Sequence, residues 1–198
     1  MKKSIIWNFK AKLYQQFRNQ FPFGYFLQQE NKSLAALLTK IPPKFKIVLD
    51  LGTGEGNALQ FVANHVTKIG VDSSLSMLVN AHRKINAAFI NCDLLHLSLK
   101  NNIADIVLII GVLEYFSNLD PIFHEINRVT TKDSYVIISY SPPNIWTFLR
   151  QFIGHRIYSI KLKKMIEIIE KNGFEIIKPN KGIMQHQILI KKKAGLTI

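Results

Sequence analysis

The sequence predicts an α/β fold in which helices cover both faces of a doubly wound, mainly parallel sheet of seven strands. Three observations support this fold. Short segments rich in Val, Ile and Leu alternate with helix-patterned segments through the centre of the chain. One of them, Ala104–Ile110, is apolar almost throughout, which is typical of a parallel strand covered on both faces. A glycine-rich turn, Asp50–Gly56, lies between a predicted strand and a predicted helix. Strands that alternate with helices pair in parallel through right-handed crossovers.

The strands are predicted from short apolar runs that are bounded by polar residues or glycine. In chain order they are Lys46–Leu51, Val66–Val71 (which ends at Asp72), Ala87–Cys92, Ala104–Ile110, Tyr135–Tyr140, Phe174–Lys178 and Gln185–Lys191. No helical pattern separates the last two strands, so they are predicted to form a final pair.

The helices are predicted from apolar periodicity and from signals at their ends. Ser73 and Ser74 suit the N-cap of the second helix, and Pro121 suits the first turn of the third. Gly173 takes the position of a left-handed C-cap. With their predicted inward residues, the helices are Ala58–His65; Leu75–Ile85 (Leu75, Leu78, Val79 and His82); Asp120–Val129 (Ile122, Ile126 and Val129); and Leu162–Asn172 (Leu162, Met165, Ile166 and Ile169).

Two flanking segments lie outside this alternation. Residues 4–40 are predicted to form two helices separated by Phe21-Pro22-Phe23-Gly24. Residues 141–160 are predicted to be irregular, aromatic and basic, with Ser141-Pro142-Pro143-Asn144 as a rigid exit from the fifth strand. We therefore expect a helical cap over residues 1–40, one ligand-binding domain over residues 41–193 and a tail over residues 194–198.

The net charge of +13 is unevenly distributed along the 198 residues. Residues 1–44 carry +7, residues 45–140 carry −2 and residues 141–198 carry +8. Basic ends around a slightly acidic centre favour an anionic partner. A general lysine bias explains the same numbers, because lysine outnumbers arginine 21 to 5.

Several classes of protein are excluded by composition. The single cysteine, Cys92, allows no internal disulfide and no cysteine-rich zinc site, and the six histidines show no metal-ligand spacing, so no metal is expected. The amino-terminal stretch lacks the apolar core of a signal peptide, and no apolar run reaches the ~20 residues that span a bilayer. We expect a soluble, cytoplasmic protein with no integral membrane segment.

The glycine-rich turn has the context of a nucleotide-binding loop. Glycine permits positive φ and close approach of a ligand, and the following helix offers free N–H groups. Its spacing is G-x-G-x-G, which differs from the G-x-G-x-x-G of dinucleotide enzymes and so disfavours an NAD-dependent oxidoreductase. Asp72 ends the next strand, where a carboxylate can accept both hydroxyls of a ribose.

Four motifs in order resemble the class I S-adenosylmethionine-dependent methyltransferases: D-L-G-T-G-E-G, K-I-G-V-D-S-S-L-S-M-L, N-C-D and A-D-I-V-L-I-I-G-V-L-E-Y-F. They are most similar to the small-molecule branch of ubiquinone, menaquinone and biotin pathways, over residues 45–140. The resemblance implies a Rossmann-like methyltransferase fold, S-adenosylmethionine as cofactor and S-adenosylhomocysteine as product. One departure is Thr131-Lys132-Asp133-Ser134, where the family usually has Pro-Gly-Gly.

The resemblance also implies the roles of the site residues. The glycines of the loop would admit the methionine and ribose, Asp50 would support the loop and the cofactor's amino group, and Asp72 would hold the ribose diol. Cys92 and Asp93 would meet the adenine edge, while Gly111, Val112 and Leu113 would line the floor near the sulfonium. The cofactor-binding residues so implied are Asp50, Gly52, Thr53, Gly54, Gly56, Asp72, Ser73, Cys92, Asp93, Gly111 and Val112.

The expected activity is methyl transfer to a small, apolar acceptor. Aromatic residues of both flanks, Trp146, Phe148 and the Phe17–Phe26 segment, are predicted to wall the acceptor pocket, with Arg150 or Arg156 facing an acidic headgroup; packing in the core is the alternative. No general base is assigned, and Tyr14, Tyr25, Glu114 and His155 are the candidates. Other hypotheses are methylation of RNA or protein, for which no nucleic-acid motif is present, and a non-catalytic cofactor-binding protein. The amphipathic start, with Ile6, Phe9, Leu13 and Phe17 on one face, also leaves open a peripheral contact with an anionic membrane.

Overall fold

The computed structural model describes residues 23–152 and 156–193. The first predicted helix of the cap, the candidate bases Tyr14 and His155, and the tail 194–198 lie outside these residues. The described elements, in order, are α1 (Phe23–Leu38), β1 (Ile47–Leu51), β2 (Thr67–Asp72), α2 (Leu75–His82), β3 (Ala88–Asn91), β4 (Ala104–Ile109), α3 (Asp120–Val129), β5 (Thr130–Tyr140), α4 (Ile145–Phe152), α5 (Leu162–Lys171), β6 (Phe174–Lys181) and β7 (His186–Lys192), with 3₁₀ turns at Ala58–Phe61 and Leu113–Tyr115.

The seven strands form one sheet in the order β3-β2-β1-β4-β5-β7-β6. The first five pair in parallel, and β7 runs antiparallel to both β5 and β6. The chain order reverses direction across the sheet between β1 and β4, and in such sheets ligands bind at the carboxyl ends of the strands beside this point. The predicted fold, seven strands and mainly parallel, is confirmed.

Two apolar clusters cover opposite faces of the sheet. One contains α3 and α5, with Ile122, Ile126, Val129, Met165 and Ile169 all fully buried. The other contains Leu34 and Leu37 of α1. Strand β1 supplies both clusters alternately, with Val48 on one face and Leu49 and Leu51 on the other. The predicted inward faces of α3 and α5 are confirmed by these contacts, except that Leu162 and Ile166 are only partly buried.

The predicted helix Ala58–His65 is wrong, because the structure has only the 3₁₀ turn Ala58–Phe61. Val62 already adopts extended backbone and buries its side chain in the second cluster. Eight residues gain little from helical hydrogen bonds alone, and β-branched valine gains more here from tertiary packing.

The predicted inward face of α2 is also wrong in part. Leu78 is buried, together with Met77 and Ala81, whereas Leu75, Val79 and His82 are exposed. Glu55 explains this rotation, because it accepts a hydrogen bond from Asn80 (3.1 Å) and pairs with Lys84 (2.6 Å). The helix also ends at His82, three residues earlier than predicted. Its predicted N-cap is confirmed at Ser74, whose side chain accepts from the backbone N–H of Met77.

Residues 141–160 are not irregular throughout, because α4 occupies Ile145–Phe152. Asn144 caps this helix, its Oδ1 accepting from the backbone N–H of Thr147 at 2.9 Å. Pro142 and Pro143 precede Asn144, so the sequence pattern indicates a rigid exit from β5 and not the start of a helix. Gly173 confirms the predicted left-handed C-cap of α5 with φ +85°, and Asp133 adopts φ +66° within the stretch 131–134 that stands in place of Pro-Gly-Gly.

Candidate active site

The glycine-rich loop follows β1 and folds back on β2. The backbone N–H groups of Gly52 and Thr53 both donate to the carbonyl of Val71, at 2.8 and 2.9 Å. Gly52, Gly54 and Gly56 have φ values of +71°, +53° and +79°, in the left-handed region that favours glycine. The alternation of glycine in the sequence is therefore a requirement of the backbone at three positions.

The three glycines nevertheless face different surroundings. A Cβ on Gly52 would lie 2.4 Å from Cγ2 of Val112, and one on Gly56 would lie 2.9 Å from Cγ1 of Ile85. A Cβ on Gly54 would meet nothing within 4 Å. Gly52 and Gly56 thus allow close packing within the protein, while Gly54 borders open space at the carboxyl edge of the sheet.

Asp72 joins the loop to the start of α2. Its Oδ2 accepts from the backbone N–H of Gly54 at 2.9 Å, and its Oδ1 accepts from that of Ser74 at 2.8 Å. Burial raises the pKa of Asp72, and these backbone hydrogen bonds, with one from Ser73, act against that rise. Each carboxylate oxygen has a further lone pair, so both can still accept hydrogen bonds from hydroxyl groups of a ligand.

Asp50 lies beneath the loop at the end of β1. It is buried, and Thr53 donates to it through Oγ1 at 2.6 Å. Burial raises the pKa of Asp50 to about 7; the Thr53 hydrogen bond lowers it, and the nearby charge of Asp72 adds to the rise. A cation placed beside this buried carboxyl group would stabilise its ionised form.

The ends of β2 and β3 lie side by side. Asp72 pairs in register with Asn91, and the backbone N–H of Cys92 donates to the carbonyl of Asp72 at 3.3 Å. Cys92 is partly buried, and Asp93 is exposed while it accepts from the backbone N–H of Leu95 at 3.0 Å. The predicted ribose and adenine residues therefore occupy neighbouring strand ends.

The end of β4 lies on the other side of the loop. Gly111 has φ +71°, and its backbone N–H donates to Oγ of Ser139 at 2.7 Å. Val112 contacts the Gly52 position as described above, so β1 and β4 meet at this point. The structure thus brings the eleven predicted cofactor residues to one edge of the sheet; their individual roles stay predictions.

A buried polar network, absent from the sequence prediction as a unit, continues from Gly111. Ser139 donates to Oε1 of Gln185 at 2.9 Å, and Gln185 donates through Nε2 to Oε2 of Glu114 at 3.0 Å. Glu114 is 1% exposed, accepts from Ser141 and forms an ion pair with Arg150 of α4. The network fastens α4 to the strand ends.

This ion pair corrects two hypotheses. Arg150 was a candidate for an acidic headgroup of the acceptor, but its guanidinium is bound to Glu114 and, at 3.0 Å, to Oγ of Ser141. Glu114 was a candidate base, but it already accepts hydrogen bonds from three side chains. Partners separated by 36 positions could not be recognised from sequence spacing.

The predicted aromatic residues divide between packing and surface. Phe26 of α1 is buried and contacts Trp146 of α4 edge to face, with ring centroids 4.8 Å apart. Phe148 is exposed. A cleft of about 460 Å³ lies beside it, lined by Pro143, Asn144, Ile145, Thr147, Phe148, Gln151 and Ser159. Trp146 therefore packs against α1, and Phe148 lines this cleft.

The remaining candidates add little. Tyr25 is exposed, and Arg156 lies 5.3 Å over the ring of Tyr158. Among residues 23–152 and 156–193, no group of three His, Cys, Asp or Glu side chains is placed to hold a metal ion. No helix within those residues is long and apolar enough to cross a membrane.

Comparison with known proteins adds the chemistry to this geometry. Residues 49–138 match the family described as "Methyltransferase domain". No curated protein matches the chain.

Solved structures share the fold at low identity. Magnesium protoporphyrin IX methyltransferase from Synechocystis, with bound S-adenosylhomocysteine, is 18% identical with a TM-score of 0.77, covering 97% of this chain and 99% of that one. A Listeria monocytogenes protein described as a "putative S-adenosylmethionine dependent methyltransferase" is 20% identical, with a TM-score of 0.67 and coverage of 82% of this chain and 99% of that one. The [4+2]-cyclase SpnF is 15% identical, with a TM-score of 0.71 and coverage of 85% and 82%.

Proposed function

We propose that this chain, whose residues 49–138 match a methyltransferase domain, uses S-adenosylmethionine to methylate a small, apolar acceptor. The observation that carries the acceptor class is the apolar surface that α4 adds to the carboxyl edge of the sheet. Ile145, Phe148 and Leu149 are exposed there, on the edge that also holds the predicted cofactor residues. A polar acceptor would gain little from such a surface, whereas an apolar one is stabilised by burial.

The residues at the strand ends fit S-adenosylmethionine. Gly54 leaves open space next to the loop, and Asp72 retains acceptor capacity for a ribose diol. Asp50, buried with a raised pKa, suits a cationic amino group. Asp93 is exposed and available to an exocyclic amino group. When bound, the cofactor supplies a methyl group on a sulfonium that is already activated for displacement.

The chain's own contribution is positioning and exclusion of water. The network from Gly111 through Ser139 and Gln185 fixes the β4 end, where the acceptor and the methyl group would meet. Holding two reactants in line is worth ~7–11 kcal/mol of the barrier. Because Glu114 is already paired with Arg150, we propose that no carboxylate of this network removes a proton from the acceptor.

Two other functions compete with this proposal. Methylation of RNA or protein would use the basic ends, and a non-catalytic binding protein would use the cofactor site alone. The shared fold of a [4+2]-cyclase makes the second worth testing, because binding of the cofactor alone does not establish methyl transfer.

The first experiment is calorimetry with S-adenosylhomocysteine and, as control, NAD. Saturable binding of the former alone supports the cofactor site, and binding of NAD alone would contradict it. The second incubates the protein with methyl-tritiated S-adenosylmethionine and a cell extract, then separates organic-soluble molecules, RNA and protein. We expect label in the organic-soluble fraction. Label in RNA or protein would show that the acceptor is a macromolecule instead of a small molecule. No label in any fraction would favour the non-catalytic function.

A further inference from the structure

Five large apolar side chains are exposed around the start of α4 and are called here the α4 patch: Tyr25, Ile145, Phe148, Leu149 and Ile183. Ile145, Phe148 and Leu149 share a face of α4 at helical spacing. Asn144 donates to the carbonyl of Ile183 at 2.7 Å, which brings the β6–β7 turn to the helix start. The patch is therefore assembled from three separate segments.

The contacts of α1 complete this surface. Tyr25 precedes Phe26, whose ring lies 4.8 Å from that of Trp146, next to Ile145. Contiguous exposed apolar surface of this kind marks an interaction site in soluble proteins. Elsewhere among the described residues, Leu75 and Val79 form a smaller exposed pair at helical spacing on α2.

The charges next to the patch are positive. Arg156 and Lys161 are exposed in the segment that runs beside the end of α4, where Gln151 donates to the carbonyl of Ile157 at 3.0 Å. Lys181 is exposed two residues before Ile183. The carboxylate beneath α4, Glu114, is buried and neutralised by Arg150. Positions 1–22 of the sequence contain five Lys or Arg and no acidic residue.

We propose that the α4 patch is a docking surface for an anionic lipid bilayer, with its apolar side chains in the interface and its cations on the headgroups. Aliphatic and aromatic side chains on one helix face, with a basic rim, have the composition of interfacial membrane-binding helices. Each Lys or Arg near an anionic surface contributes about 1 kcal/mol, roughly fivefold in affinity. The proposal does not depend on the acceptor, although such a surface would deliver apolar molecules to the same edge of the sheet.

Other partners fit the patch less well. Nucleic acid would match the cations, but Ile145 and Leu149 offer neither stacking rings nor hydrogen-bond donors for bases. A second copy of the chain would oppose Arg156 and Lys181 to the same cations of its partner. Residues 1–22 would likewise bring positive charge to a positive rim.

The test measures partition of the full chain onto sedimented vesicles of phosphatidylcholine, with and without about 30% phosphatidylglycerol. We expect binding to the anionic vesicles only. The variant Phe148→Ser/Leu149→Ser should bind at least about tenfold more weakly, because two large apolar side chains leave the interface. Its matched control is Val79→Ser/Ile177→Ser, whose side chains are 46% and 45% exposed, against 54% and 45% for the test pair.

The charge arm uses Arg156→Gln/Lys181→Gln, which should weaken anionic binding by more than tenfold. Its control, Lys100→Gln/Lys132→Gln, removes two exposed lysines at the opposite edge of the sheet and should change nothing. A folded full chain that does not bind anionic vesicles overturns the proposal. Equal binding by the patch variant and its control overturns it as well. Release of the protein from the vesicles by poly(U) also overturns it, because it indicates that the partner is nucleic acid. Vesicle binding gained only on removal of residues 1–22 would show that this segment is the occupant.

Discussion

Asp72 is the residue at which a role in the fold and a role in binding can be separated. Its carboxylate accepts hydrogen bonds from two backbone N–H groups, and Asp72→Ala removes both. The substitution also removes a buried carboxyl group whose pKa is raised by burial. These effects oppose each other, and we expect the free energy of unfolding to change by no more than about 1–3 kcal/mol. Affinity for S-adenosylhomocysteine should fall by about 1.5–3 kcal/mol, the range for hydrogen bonds to a charged group. Calorimetry and urea denaturation measure the two quantities.

Asp105 supplies a matched control for this prediction. It accepts from the backbone N–H groups of Lys46 and Ile47, both at 3.0 Å, at the opposite edge of the sheet. Asp105→Ala should therefore reduce stability without changing the affinity for S-adenosylhomocysteine. Unchanged affinity in a folded Asp72→Ala variant would remove Asp72 from the cofactor site.

Asp50 makes stability depend on pH in the direction opposite to a salt-bridged carboxylate. Its folded-state pKa is raised to about 7, above the ordinary 3.8, so between these values the folded chain holds a proton that the unfolded chain has released. Stability conferred by the neutral carboxyl is therefore lost as pH rises from about 4 to about 7, by at most about 1.4 kcal/mol per pH unit. Urea denaturation at several pH values should show a smaller decline for Asp50→Asn. Parallel curves for the variant and the wild type would contradict the raised pKa.

At the scale of elements, two glycines of the loop have different surroundings: Gly54 borders open space, and Gly56 packs inside the protein. Gly54→Ala and Gly56→Ala both place a side chain at positive φ, which costs roughly 1–2 kcal/mol. Only the Gly56 variant also presses Cβ against Ile85, so it should be the less stable of the two. Gly54→Ala projects into open space and should lower affinity for S-adenosylhomocysteine the more strongly, with Gly54→Val more severe still. If Gly54→Val bound the ligand as tightly as the wild type, the open space would not be the cofactor site.

Helix α4 depends on the ion pair beneath it. Arg150→Met leaves the carboxylate of Glu114 buried without its cation, which should reduce the free energy of unfolding by about 3–5 kcal/mol. The exposed pair between Lys171 and Asp120, at 2.9 Å, is the control, and Lys171→Met should cost at most about 1 kcal/mol. Adding Glu114→Gln to Arg150→Met should restore part of the loss. Equal losses from Arg150→Met and Lys171→Met in urea denaturation would mean that the pair contributes no more than a surface contact.

At the scale of the whole molecule, local signals predicted well and long-range ones did not. The α3 face of Ile122, Ile126 and Val129 and the C-cap at Gly173 follow from residues a few positions apart, and both are confirmed. The rotation of α2 depends on Glu55, which lies 25 positions before its partner Asn80. Tertiary contacts of this kind override periodicity in short helices.

The same distinction applies to the candidate site. Asp50–Gly56, Asp72 and Gly111 lie at the ends of β1, β2 and β4, which are neighbours in the sheet. Topology alone therefore brings these residues together once the strands are recognised. The pair Glu114–Arg150 joins β4 to a helix whose start at Asn144 follows two prolines, and no spacing rule connects them. The sequence therefore predicted which residues meet at this edge of the sheet, but it did not predict the ion pair that anchors α4 to that edge.

The last prediction concerns residues 1–22, which precede the described chain. Contacts among the described residues hold α1 on the sheet: Leu34 and Leu37 are buried, Asn180 donates to Ser33 at 2.8 Å, and Gln187 donates to the carbonyl of Glu30 at 3.0 Å. Deletion of residues 1–22 should therefore leave the unfolding transition and the affinity for S-adenosylhomocysteine unchanged.

Turnover of the acceptor should behave differently, because the contact of Phe26 with Trp146 brings the start of α1 next to α4 and its cleft. If apolar residues of this segment complete the acceptor site, kcat/KM for the acceptor falls by roughly tenfold or more in the deletion variant. Deletion of residues 194–198 is the control, since β7 ends at the opposite edge of the sheet, where Lys191 pairs with Tyr135. Normal turnover by the chain that lacks residues 1–22 would place the acceptor wholly on residues after Phe23, with α4 and the 460 Å³ cleft as the surface to mutate next.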